Sequence, residues 1–297
     1  MAVTVRAMSE DGGIFCAAIE NKDVVEYIKK IWKPSAAGLI ALGRLAAGTS
    51  LVGSLLKNDG ERLTVRFSGK GVGGNLMAVS DQYGNVKVRA DNPSAVPEHP
   101  LSVAEFVGKD GEMSVIHDLG LARRGELPYT TSLPIFTGEI AQDFTQYFGI
   151  SEQIPTVCSL GVLLDEDKDG ELIVKAAGGF FLQCLPPVTQ DHLNYVMTNI
   201  KKSGRVTEML ARGDSAEKIA LAMLDGLNPS VLDTFPNGLR CDCDRNKVLD
   251  MLATLPKAEL RKMAEQDNDK TEIKCDFCQK KYILKKDEIN RLLIEIK

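Results

Sequence analysis

Two cysteine pairs near the end of the chain constrain it more than any other feature. They are Cys241-Asp242-Cys243 and, after 31 intervening residues (Asp244 to Lys274), Cys275-Asp276-Phe277-Cys278. Two close pairs brought together by a folded insert suit a tetrahedral four-thiolate site, because each pair spans one edge of the tetrahedron and the insert closes the loop. The spacing therefore predicts one zinc ion per chain in the reduced state, with Cys241, Cys243, Cys275 and Cys278 as ligands. The alternatives are four unrelated thiols or two separate redox pairs. The one-residue gap of the first pair is tighter than the two-residue gap common in zinc ribbons. Gln279-Lys280-Lys281-Tyr282 after the second pair reads as a knuckle turn leading into a strand.

Energetics makes such a site structural. A tail of roughly 60 residues buries too little surface to be safely stable by itself. Structural zinc contributes about 10–16 kcal/mol of apparent binding free energy in small finger peptides, against roughly 5–15 kcal/mol for the whole stability of a typical domain. Loss of zinc is expected to unfold the tail. Since only thiolates hold the metal, oxidation of any one sulfur removes a ligand. Arg240, Arg245, Lys274, Lys280 and Lys281 would offset the negative charge of such a site, while Asp242, Asp244 and Asp276 oppose them.

The remainder of the 297 residues reads as α+β. A mixed α/β core domain with a β-meander is expected over 1–183, a helical connector over 184–235 and the four-cysteine domain over 236–297. Val3, Val5 and Ala7 alternate with polar residues, Ile14 to Ile19 forms a second β-like run, and Pro34 to Leu56 supplies helix. The meander comprises Leu63 to Phe67, Leu76 to Val79 and Val86 to Arg89, the last two joined at Gly84-Asn85. Val157 to Leu164 and Leu172 to Ala176 form a hairpin about the acidic turn Asp165 to Gly170. After Gly178-Gly179 and Pro186-Pro187 the period becomes helical, with short helices separated by Gly204, Gly213 and Gly226.

Several function classes are disfavoured. A net charge of -5 supplies no positive field for phosphate backbones or anionic membranes, so neither nucleic acid nor membrane is an expected partner. The apolar run Ala36 to Leu56 contains Arg44 and four glycines and reads as a buried core helix. Met1 to Gly13 lacks the apolar region of a signal peptide, and a cytoplasmic location is expected. Gly69 to Gly74 satisfies G-x-G-x-x-G, but strand, turn and strand follow where a dinucleotide site needs a helix, so a flexible hairpin connection is expected. Asp165, Asp167 and Asp169 open like a calcium loop whose twelfth position is Ala176 instead of Glu. His99, His117 and His192 are far apart, and His117-Asp118 reads as a surface pair. Cys16, Cys158 and Cys184 read as small buried hydrophobes. No enzyme activity is expected.

At this point the chain resembles the 33 kDa heat-shock protein family of redox-regulated holdase chaperones along nearly its full length. The resemblance rests on the Cys-x-Cys and Cys-x-x-Cys tail, Ala41-Leu42-Gly43-Arg44, the run Tyr147-Phe148-Gly149-Ile150-Ser151-Glu152-Gln153-Ile154-Pro155-Thr156, and Gly178-Gly179-Phe180 leading to Gln183. It implies a protein inactive while reduced and zinc-bound. Oxidants aided by heat would release zinc, pair Cys241 with Cys243 and Cys275 with Cys278, and unfold the tail and connector. The exposed surface would hold unfolded or aggregation-prone client proteins without ATP, and activated members often form homodimers. Asp244 stands where the family more often has Ser or Arg. Competing readings are a zinc-ribbon module for RNA or ribosomes and, against the sequence context, a thiol oxidoreductase using Cys275 and Cys278.

Overall fold

The computed structural model describes residues 2–120, 127–265 and 270–295. Positions 266–269 of the insert between the cysteine pairs, and both chain ends, lie outside the described residues. Contacts divide the chain into Met1–Arg240 and Cys241–Lys297.

The first unit is built on two antiparallel sheets with a helix between them. Its strands are β1 (Ala2–Met8), β2 (Ile14–Glu20), β3 (Arg62–Ser68), β4 (Leu76–Asp81), β5 (Val86–Ala90), β6 (Glu112–Asp118), β7 (Tyr129–Pro134), β8 (Thr156–Glu166), β9 (Leu172–Cys184) and β10 (Ser230–Asn237). One sheet runs β10-β1-β2-β9-β8 and the other β5-β4-β3-β6-β7. Helices α1 (Lys22–Trp32) and α2 (Ala36–Gly53) follow β2; α3 (Val103–Val107) and α4 (Ala141–Tyr147) cover other parts of the core.

Helix α2 explains the most apolar stretch of the sequence. It packs against β2, β8 and β9 of one sheet and β3, β4 and β5 of the other, so it is apolar all round instead of along one stripe. Its length and hydropathy would suit a membrane span, yet 83% of that window is buried inside the protein. Close approach requires its glycines: a Cβ at Gly43 would lie 2.6 Å from a Val162 methyl and 2.9 Å from one of Val25. The Ser35 side chain accepts from the Gly38 amide and caps the start. Arg44, the one charge in the run, reaches the Glu139 carboxylate at 2.6 Å.

Both faces of the first sheet are covered. Phe15, Ala17 and Ile19 of β2 join the core shared with α2, while Ile14, Cys16 and Ala18 point the other way. There they meet Val196, Met209, Ile219 and Met223 from α5 (Gln190–Ser203), α6 (Val206–Ala211) and α7 (Ala216–Met223). The continuous run Ile14 to Ile19 is the sequence trace of a strand with no solvent face.

Three local expectations change. Strand β9 continues through Gly178-Gly179 to Cys184, because these glycines lie between β2 and β8, and a side chain at either would meet the Ile19 or Ser159 carbonyl. The segment expected to finish the connector and begin the tail is instead β10, registered from Ala2↔Asn237 to Met8↔Ser230; its Pro236 is tolerated on an edge strand. The Gly69 to Gly74 connection is not flexible: the Gly71 and Gly73 amides donate to the Val107 and Phe106 carbonyls at 3.1 and 2.9 Å, and β4 follows. Among the described residues the segment leads into a strand and bonds to the C-terminal end of α3, so it lacks the helix N-terminus that an anion site of the dinucleotide type uses.

Because α7 supplies part of the second core, Ile219→Ala should lower unfolding free energy by about 2–5 kcal/mol. Urea unfolding followed by the fluorescence of Trp32, the single tryptophan, reads this as a lower midpoint. A midpoint equal to the parent's would mean that the connector helices do not stabilise this unit.

Candidate metal centre

The second unit contains α8 (Arg245–Ala253), α9 (Lys257–Glu265), the hairpin strands β11 (Lys270–Lys274) and β12 (Lys281–Lys285), and α10 (Lys286–Glu295). Its core is small: Val248, Leu252, Leu260, Ala264, Tyr282, Leu284 and Ile289 are buried together, and Cys243 and Cys275 pack against them. The sulfurs thus extend the apolar cluster.

Backbone geometry sets each pair. Asp244, just after Cys243, caps α8 by accepting from the Lys247 amide at 2.9 Å, so the first pair sits where extended chain turns into helix. Strands β11 and β12 pair from Lys270↔Lys285 to Lys274↔Lys281, leaving Cys275 to Lys280 as the connecting turn. In that turn the Cys275 amide donates to the Lys280 carbonyl and the Gln279 amide to the Cys275 carbonyl, each at 2.9 Å, with Gln279 in the left-handed region at φ 61°. The turn brings Cys278 back over Cys275, as the knuckle reading expects.

The four Sγ atoms lie within 4.8 Å of one another. Cys241 and Cys275 approach to 3.7 Å, and Cys243 and Cys278 to 3.3 Å, so contacts cross between the pairs. Four sulfurs about 2.3 Å from a tetrahedral zinc are separated by about 3.8 Å. The donor set and its spacing therefore fit zinc, and these side chains could hold a metal ion. All four are free thiols, half-buried.

The Tyr282 hydroxyl donates towards the Cys243 carbonyl oxygen (2.9 Å) and Sγ (3.2 Å). Burial pushes the Cys243 thiol up, but hydrogen bonds from Tyr282 and the neighbouring cysteines outweigh it and hold the group at about 7. Burial raises Cys241 and Cys278, and the bond to Cys243 raises Tyr282. Much of the nearby charge is taken up locally. Lys247 contacts Asp242 at 2.7 Å, Arg245 grips both Glu288 oxygens at 2.6 Å, Lys281 meets Glu272 at 2.9 Å, and Lys280 lies over the Tyr282 ring. The sequence pattern assigns Tyr282 no role at the sulfurs; its position four residues after Cys278, early in the strand that follows the turn, is the available signal.

The other candidates disperse. The Cys16 thiol is fully buried, Cys158 and Cys184 are half-buried, and burial raises all three, which disfavours their thiolate forms. Asp165 to Gly170 is a hairpin turn in which Asp167 accepts from the Asp169 and Glu171 amides. His99 pairs with Glu105 and His192 with Asp11. His117 is not a surface partner of Asp118. It is half-buried, stacks on Tyr129 with centroids 4.6 Å apart, and sits 3.4 Å from the Tyr147 hydroxyl; burial lowers its pKa.

Comparison with known proteins agrees over nearly the whole length. The family described as Hsp33 protein matches residues 3–285. The 33 kDa chaperonin of Clostridioides difficile (strain 630) is 38% identical over 296 residues, covering 98% of both chains. That of Alkaliphilus metalliredigens is 34% identical with the same coverage. The crystal structure of the 33 kDa chaperonin (heat shock protein 33 homolog) from Thermotoga maritima superimposes with a TM-score of 0.85 at 28% identity, covering 99% of this chain and 98% of that one. With four convergent thiols on a small tail and a two-sheet unit that matches throughout, this chain belongs to the Hsp33 family of chaperones.

Proposed function

We propose that this protein is an ATP-independent, redox-regulated holdase of the cytoplasm. The observation that carries the proposal is the convergence of Cys241, Cys243, Cys275 and Cys278 on a unit whose own core is small. A bound zinc ion would cross-link the two pairs and add binding free energy to the folding of the tail. In this reading, Cys241 and Cys243 hold one end of the insert, Cys275 and Cys278 hold the other, and the Tyr282 hydroxyl stabilises negative charge on the Cys243 sulfur.

Oxidation acts on the clamp directly. Peroxide takes two electrons from a thiol pair, leaving one disulfide and water, so closing Cys241–Cys243 and Cys275–Cys278 consumes two equivalents per chain and removes every ligand. The pairing comes from the family resemblance; the crossed contacts between Cys241 and Cys275 and between Cys243 and Cys278 make peptide mapping under non-reducing conditions its proper check. With its cross-link gone, the tail unfolds and apolar surface becomes available to unfolded client proteins. Homodimers form in the active state. The names of the relatives are those of chaperones and not of enzymes, which supports a binding role.

One observation favours a second reading, in which the tail contacts RNA. Lys270, Lys274, Lys281 and Lys285 are exposed on one face of the β11–β12 ribbon. Binding to RNA that weakens steeply with salt would support it; the acidic balance of the whole chain argues against it.

Two outcomes follow. Peroxide with mild heat should release about one zinc per chain to a chromogenic chelator, and the treated protein should suppress light scattering by a thermally unfolding client. Zinc release without suppression would defeat the client-binding half. Separately, Tyr282→Phe should weaken zinc binding by about ten- to a hundredfold, read by chelator competition; an unchanged affinity would remove Tyr282 from the site.

A further inference from the structure

Open sheet edges are hazards that proteins blunt with bulges, charges, proline or covering segments. Among the described residues, this chain closes most of its edges in such ways. Strand β10 carries Asp233 and Pro236, and its pairing with β1 is irregular at Arg6/Ala7. The register of β8 shifts between Leu163 and Leu164, and its Cys158 amide donates to Thr145 Oγ1 at 3.2 Å. Strand β5 bears Lys87 and Arg89, while Val86 bonds to the Gly238 and Arg240 backbone. The β11–β12 ribbon has lysine at both ends of each strand.

Strand β7 differs. Tyr129-Thr130-Thr131-Ser132-Leu133-Pro134 contains no charge and pairs with β6 in unbroken register from Glu112↔Pro134 to His117↔Tyr129. The Ile135 amide donates to the Gly111 carbonyl at 3.0 Å, which fixes the phase of the ladder. Tyr129, Thr131 and Leu133 accordingly bond inward, and Thr130 and Ser132 turn their amides and carbonyls outward. Those outward groups have no backbone partner among the described residues. Pro128 and Pro134 bracket the run, so an added strand is limited to about five residues. Leu127, Tyr129 and Phe136, exposed by 87%, 51% and 64%, supply apolar contact at its two ends.

We infer that the outer edge of β7 is a docking site for an extended segment of an unfolded polypeptide, which adds to the sheet as a further strand. The inference rests on the chaperone reading for its occupant. An edge recognises main chain, which every unfolded protein presents, and a neutral edge does not discriminate by charge. A second copy fits less well. Pairing β7 with its counterpart would cover a strip about 20 Å long and about 5 Å wide, far below the ~1,200 Å² of a stable interface. Each outward hydrogen bond is worth about fivefold in affinity. The edge alone therefore holds nothing firmly and contributes once oxidation has exposed further apolar surface.

Proline supplies a specific probe, because at an outward edge position it deletes only the donor that an added strand would use. Ser132→Ala, which loses the same contact with Ser114 but keeps the amide, is the control. With the oxidised full-length protein and fluorescein-labelled, reduced and carboxymethylated α-lactalbumin, Ser132→Pro should raise the Kd about fivefold and Thr130→Pro/Ser132→Pro about 25-fold. Ser132→Ala should bind as the parent does. In the parent, exchange of the Thr130 and Ser132 amides should slow at least about tenfold when client saturates; this reading stands even if a proline variant fails to fold. Parent-like affinity in a folded Ser132→Pro, or unchanged amide exchange, overturns the edge while leaving the chaperone reading intact. Loss of self-association with client binding retained overturns it in favour of a copy-to-copy contact. A parent that binds no client removes both readings.

Discussion

The convergence of four sulfurs is the constraint on which the second unit depends. Leu252, Leu260, Leu284 and Ile289 give that unit a small core, to which a metal cross-link between the cysteine pairs would add binding free energy in the proposed reading. Cys243 and Cys275 belong to the cluster and to the candidate ligand set at once. Removing the ligand function therefore also disturbs packing. In the proposed function the groups that sense oxidant are also those that hold the unit together, so such a switch would need no moving lever.

The first unit has the opposite design. Helix α2 is enclosed by two sheets, and β2 is buried on both faces, so two extensive apolar clusters, one on each side of the first sheet, support it. The helices α5 to α7 belong to this unit through Val196, Met209 and Ile219, and β10 returns the chain to the same sheet beside β1. The segment between core and tail is thus partly held by apolar contacts to the sheet. Its release would expose Val5, Ile14, Phe180 and Leu182, which the helices now cover.

How much of this could be read from the residues depends on how local the signal is. The cysteine pairs, the Gly84-Asn85 turn and the uniformly apolar α2 are signals in a short window, and the structure places them as the spacing implies. Strand β10 carried Pro236 and little alternation, and its strand character comes from β1, over 200 residues away. Gly178-Gly179 looked like a break because glycine usually marks one; here it records the close approach of two neighbouring strands. The G-x-G-x-x-G segment is a similar case, shaped by α3, which lies beyond it in sequence. At the sulfurs, Tyr282 was visible as a residue but not as a donor, since its hydroxyl reaches Cys243 across a separation of 39 positions. The balance of charge there was likewise decided by pairings such as Arg245 with Glu288.

The dependence of the tail on its cross-link is tested most directly by amide hydrogen exchange on fully reduced protein before and after zinc is stripped by a chelator. The account predicts zinc in the starting material, and loss of protection after stripping around Leu252, Leu260 and Leu284 while residues of β2, β9 and α2 stay protected. Reduced protein purified without zinc, or a tail that remains protected after the metal is removed, would contradict it.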